Sequence, residues 1–160
     1  SVEALDLHRK LVKQNRNAHL PDLAQSLNNH ANRLEAAGRW KEALRYSVEA
    51  LDLHRKLVKQ NRNAHLPDLA QSLNNHANHL GKAGLQDKAT SFLKEAVNLN
   101  SELAESDPHT YQPELAASLI NYAYSLAETR RWAEALLASQ EAVDLYKELA
   151  ESTRMPTCPT

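Results

Sequence analysis

Apolar residues recur along this chain at helical spacing, and the spacing itself returns every 46 positions. Leu69, Leu73, Ala77 and Leu80 mark one face of an amphipathic helix, here called helix A, and Pro67 with Asp68 stands at its predicted start. Proline suits a first helical turn because its missing N–H has no partner there, and the aspartate faces the positive end of the helix dipole. Pro21 with Asp22 and Pro113 with Glu114 repeat that start. Gly38 and Gly84 fall where helix A must stop, since glycine takes the left-handed conformation at little cost. Helix B follows with two stripes, one of Ala43, Ala50, Leu53 and Leu57, the other of Leu44, Val48, Leu51 and Val58. Two stripes mean burial on two sides, against its own helix A and against the next one.

The pattern predicts helices over 1–14, 21–37, 39–60, 67–82, 85–105, 113–129 and 131–151, with "QNRNAH" as a polar connector between helix B and the next helix A. Residues 1–32 and 47–78 are identical, and "RWKEAL" from Arg39 reappears as "RWAEAL" from Arg131, two periods later. The expected fold is all-α: a right-handed α-solenoid of antiparallel helix hairpins with about seven helices, forming one repeat domain over 1–152. Within it, 1–14 is a partial helix B, the repeats span 21–60, 67–105 and 113–152, and 153–160 is expected to be a disordered tail. The chain lacks an initiator Met and begins inside a helix, so a fragment of something longer is expected. Identity at exposed positions exceeds what packing requires and points to recent copying or engineering.

Composition changes this picture little. Three glycines and one phenylalanine among 160 residues, 42% of them apolar, favour helix over sheet. With 19 basic against 20 acidic residues, nothing draws the chain to nucleic acid or an anionic membrane. The sum hides an asymmetry: residues 1–46 carry eight Lys/Arg and five Asp/Glu, whereas residues 93–160 carry five and eleven. Head-to-tail attraction between copies is one consequence that salt would screen. The single cysteine, Cys158, excludes a disulfide within the chain. No apolar run approaches the roughly 18 residues of a membrane span, so a cytoplasmic location is expected.

In "SLNNHANHLGKAGLQDKATSFLKEAVNL", a small residue at Ala77, a large apolar one at Leu80, a turn glycine at Gly84 and the alanines Ala89 and Ala96 together resemble the tetratricopeptide repeat. The resemblance covers about residues 15–152. The family's usual period is 34 residues, and twelve more amount to about three helical turns. The chain is therefore similar to the long-repeat subclass found in kinesin light chain and in bacterial and fungal STAND-type signalling proteins. It departs at the position where the family prefers leucine on helix A, which is His30, His76 or Tyr122 here, and at the third turn, where Arg130 replaces glycine.

The resemblance implies a protein-interaction module that binds a peptide or extended segment on the concave surface lined by the A helices. The positions that match are Gln25, Asn28, Asn29 and Asn32; Gln71, Asn74, Asn75, Asn78 and Lys82; and Ala117, Asn121, Tyr124 and Glu128. Asparagine suits the task because its amide both donates to and accepts from a peptide backbone, and it is a poor helix former that a purely structural face would not favour. Solvated surface amides are the plain alternative. Lys82 and Arg33 are the only cations placed for a carboxylate clamp.

His76 and His79 sit one turn apart, but a structural metal site needs about four ligands, so no metal and no cofactor is expected. His30 and His76 are read as partly buried, hydrogen-bonded residues whose protonation would lower stability as pH falls toward 6. No nucleophile motif, phosphate loop or poised carboxylate pair is present, so no enzyme is expected. The rival reading is structural: an array, natural or engineered, that self-associates as a homo-oligomer through uncovered terminal helices or by exchange of its identical repeats.

Overall fold

The computed structural model describes residues 2–14 and 16–154. Among these are seven helices and no strand: α1 (Val2–Gln14), α2 (Arg16–Ala36), α3 (Trp40–Gln60), α4 (Arg62–Lys82), α5 (Gln86–Ser106), α6 (Pro108–Glu128) and α7 (Trp132–Ser152). From α2 onward every helix is 21 residues long. Helices α2, α4 and α6 are the A helices; α3, α5 and α7 are the B helices, with α1 equivalent to the main part of a B helix. Three residues join A to B and a single residue joins B to the next A, and those lengths fill the 46-residue period.

The A helices thus begin five residues before the expected prolines, and "QNRNAH" is not a connector. Its Asn61 alone is the link: an extended residue (φ −151°, ψ 94°) that donates its N–H to the Leu57 carbonyl and accepts from the Ala64 N–H at 3.3 Å. One residue ends α3 with its backbone N–H and starts α4 with its side chain. Asp107 does the same between α5 and α6, with Pro108 as the first helical residue. The Thr110 hydroxyl and amide hold the Asp107 carboxyl below the usual carboxylate range. Pro67 and Pro113 are sixth in their helices, where each removes one hydrogen bond without ending the helix. Of the expected tail, residues 155–160 lie outside the described residues, while the N–H groups of Thr153 and Arg154 bond back to Leu149 and Glu151.

All three A-to-B turns close the same way. The residue after the helix cap is left-handed, at φ 78° for Gly38, 82° for Gly84 and 61° for Arg130. The N–H that follows reaches the carbonyl five residues back, from Arg39 to Leu34 (2.9 Å), Leu85 to Leu80 (2.9 Å) and Arg131 to Leu126 (2.8 Å). The third turn is therefore wound like the others, and Arg130 carries the strain of a side chain where glycine would have none.

The chain divides into two compact units, one up to Ala96 and one from Val97 on, with the boundary inside α5. In the first unit, Leu5, Leu23, Leu27 and Ala50 form a core with Tyr46 and Leu53 against it. In the second, Leu115, Leu119 and Leu126 of α6 pack on Ala135, Ala138 and Ala142 of α7 and Ala104 of α5. The second stripe expected on helix B is not Leu44, Val48, Leu51 and Val58: Val48 is exposed, and Ser47 and His54 are buried beside Leu51.

Those buried polar residues join the helices. A serine of each A helix meets a side chain of the preceding B-type helix: Ser26 with His8 (3.0 Å), Ser72 with His54 (2.6 Å) and Ser118 with Asn100 (2.5 Å). Ser47 donates its proton to the Leu44 carbonyl (3.0 Å), which leaves its oxygen to accept from Nδ1–H of His76 (2.6 Å). His76 also stands edge-on to Phe92, as His30 does to Tyr46. On the B side, Arg9 pairs with Glu49 and Arg55 with Glu95, each through two hydrogen bonds.

Two outcomes follow from the turns and the histidines. Arg130→Gly is expected to stabilise the chain by about 1 kcal/mol, and Gly84→Ala, whose Cβ would meet nothing within 4 Å, to destabilise it by a similar amount. Opposite shifts of the urea midpoint at unchanged slope are the readout. Burial pushes the His76 imidazole down to about 4 from its ordinary value, helped by the charge of His79. The unfolded chain therefore takes up that proton first, and stability present above pH 6.5 falls as pH drops toward 4, by about 3 kcal/mol for His76 alone. Burial lowers His30 and His54 in the same direction. His76→Leu should flatten unfolding free energy against pH over that range; an unchanged slope would remove His76 as the source.

Candidate functional site

On α2, the apolar positions Leu23, Leu27, Ala31 and Leu34 face the core, and helical geometry leaves Gln25, Asn29 and Asn32 in solvent. Gln25 donates its amide to Asn29 (3.2 Å), and Asn29 borders a groove of about 390 Å³ between α1 and α2 with Ala4, Ser26 and Arg33. Asn28 does not belong with them. It is 3% exposed, and its amide nitrogen is bonded to Ser72 of α4 (2.9 Å). The correction follows from neighbours: one residue from Asn29 turns the side chain by about 100°, from solvent into the space between two A helices.

On α4, Gln71 and Asn78 are exposed, and Asn74 and Asn75 are half-buried. Lys82 is exposed, but its ammonium is bonded to the carboxylate of Glu35 on α2, which also takes Nδ1 of the buried His79. Burial alone would raise the Glu35 carboxyl; the hydrogen bond from Lys82 and the charge of His79 outweigh it and hold the group below its ordinary range. Lys82 is thus committed to a joint between A helices, which weakens any reading of it as a carboxylate clamp. Among the described residues, the buried Nε2 of His79 has no hydrogen-bond partner. Asn28–Ser72 and Glu35–His79 set α2 beside α4, so Gln25, Asn29, Asn32, Gln71 and Asn78 are brought onto neighbouring helices.

The second unit differs. Asn121 of α6 is half-buried, Ala117 and Glu128 are exposed, and Tyr124 is 65% exposed. Tyr124 borders a cleft of about 380 Å³ between α6 and α7 whose walls are apolar, among them Ile120, Ala127, Trp132 and Leu136. Residue-type reasoning on amides passed over these side chains. The signal available was the substitution down one register, from Asn28 and Asn74 to Ile120. Equally unforeseen were the serine joints, which show only as serines at 26, 72 and 118 repeating with His8, His54 and Asn100.

Among the described residues no cluster of three or more His, Cys, Asp or Glu could hold a metal ion. None of the helices is long and apolar enough to cross a membrane.

Comparison with known proteins bears on the fold. Residues 23–63, from α2 through α3, match the tetratricopeptide repeat family. The crystal structure of BtubC (BKLC) from P. vanneervenii superposes with a TM-score of 0.74 at 16% identity, over 98% of this chain and 58% of that one. This chain therefore spans somewhat over half of that relative's length. No curated protein matches. With consecutive helices packed in hairpins and three turns of one geometry, the chain is an all-α helical repeat array, and its residues 23–63 match a tetratricopeptide repeat.

Proposed function

We propose that this chain is a non-enzymatic protein-interaction module that holds an extended segment of a partner along the exposed amides of α2 and α4. Tetratricopeptide repeats generally mediate protein–protein interaction, which supplies the class of function. The observation that carries the finer reading is the row of exposed amides, Gln25, Asn29 and Asn32 on one helix and Gln71 and Asn78 on its neighbour. Asparagine is among the weaker helix formers, so such a row lowers helix stability unless it bonds to something else. Each amide offers a donor and an acceptor to a backbone that lacks its own partners, and adjacent helices present them in two lines. Arg33 beside the α1–α2 groove adds a cation suited to an acidic side chain of the partner.

Exposed and buried asparagines should separate cleanly. With peptides selected from a random library against this chain, Asn32→Ala together with Asn78→Ala is expected to weaken binding about tenfold, with unfolding free energy held or raised because alanine is the better helix former. Asn28→Ala should instead lower stability by about 1 kcal/mol through loss of the bond to Ser72. Affinity untouched by the first pair in every selected peptide would sink the amide reading.

A further inference from the structure

The step from α3 to α4 and the step from α5 to α6 hold the same register, and the chain makes a serine contact at each with different chemistry. At the first, His54 (2% exposed) meets Ser72; at the second, Asn100 (5% exposed) donates its amide to Ser118. The other side-chain contact between α3 and α4, Ser47 with His76, is again an imidazole on a hydroxyl. One period on, Leu93 and Tyr122 stand at those two positions. Leucine carries no titrating group, and burial moves the Tyr122 phenol further up from its ordinary alkaline value. Both imidazoles of the first step can take up a proton in mildly acid water, whereas the residues in their places at the second cannot.

Hydrogen-bond direction makes the first step sensitive to that proton. Asn28 donates to the Ser72 oxygen at 2.9 Å, which leaves the hydroxyl proton for Nδ1 of His54 at 2.6 Å. A proton on Nδ1 turns this acceptor into a donor, so two N–H groups face the Ser72 oxygen and the serine proton loses its acceptor. Burial holds the His54 imidazole below its ordinary value; of the charged groups on α4, Asp68 favours the proton and His65 opposes it. His76 is the opposite tautomer, its Nδ1–H already donated to Ser47, so the new proton enters at Nε2. Burial is again the largest opposing effect there, joined by His79 of α4 and Arg55 of α3, while Asp52 of α3 favours the charge. Glu35 of α2, bonded to His79 and Lys82, is held below its ordinary range and stays a carboxylate in mild acid, so acid acts first on the α3 side of α4. We infer that the α3–α4 joint is an acid-operated latch: a proton entering at His54 or His76 loosens α4 from α3, while Asn100 holds α6 to the end of α5 unchanged. Because α4 carries Gln71 and Asn78, acid would also disperse the amide row; that consequence rests on the proposed function, whereas the latch is read without any partner.

Amide hydrogen exchange of the whole chain tests it, expressed as protection factors so that the intrinsic pH dependence of exchange drops out. Helices in proteins owe most of their stability to the packed face, so a helix loosened on one side exchanges faster. Between about pH 7 and about pH 5.5 the protection of α4 should fall at least about tenfold, the effect of one imidazole that ionises only in the open state, while that of α6 holds within about twofold. His54→Asn, which copies the contact at Ser118, should recover about tenfold of the loss at α4, and Asn100→His should bring a loss of about that size to α6. Equal loss at α4 and α6, no loss at α4, or a loss that His54→Asn leaves intact would each overturn the inference, as would an α6 that ignores Asn100→His. Failure of every selected peptide to bind, with α4 still losing protection in acid, would count against the proposed function and leave the latch standing.

Discussion

A serine hydroxyl meets an imidazole or an amide at every described step from a B-type helix to the next A helix, half-buried at the first and buried at the other two, and the register of the helices rests on that contact. Apolar packing supplies most of the stability but has no direction: leucines and alanines at helical spacing would pack nearly as well after a slip of one turn, about 5.4 Å. A buried hydroxyl, imidazole or carboxylate does not tolerate such a slip, because each would lose its partner away from water. Asn28 on Ser72 and Glu35 on His79 extend the same control sideways, from one A helix to the next. Polar groups set the positions that apolar groups then stabilise.

The fold was legible because its strongest signals are local. The period, the apolar faces of the A helices and the left-handed position at Gly38 and Gly84 depend on few residues each. The helix starts were misjudged because proline is a frequent but not an obligatory first-turn residue. The caps are Asn61 and Asp107, standing before Arg62 and Pro108, while Pro67 and Pro113 fall inside the helices. The candidate site was legible only in part. Helical periodicity separates Asn28 from Asn29 by about 100°, but which of the two meets a neighbour depends on where α4 lies, and a single strand of sequence does not contain that.

The third copy shows how the array absorbs change. In the first two, a histidine on the A helix meets an aromatic ring on the B helix, His30 with Tyr46 and His76 with Phe92. In the third the A-helix residue grows to Tyr122 while the B-helix residue shrinks to Ala138, both in the core of the second unit. The larger side chain is now on the A helix, where Tyr122 packs against the core that holds Ala138. Arg130 is a different kind of change, since nothing opposite it compensates for a left-handed side chain.

The one-residue link at Asn61 and Asp107 constrains how such a chain can change in length. With a single residue between helices there is no slack, and one added residue inside a helix turns every later side chain of that helix by about 100°. Serines would leave their imidazoles, and amides would swing from solvent into the core. Growth and loss are therefore quantised: the edit that keeps every contact in phase is a whole period of 46, copied or removed. The unaltered recurrence of residues 1–32 at 47–78 is offset by that whole period, so every contact of the repeated stretch keeps its phase.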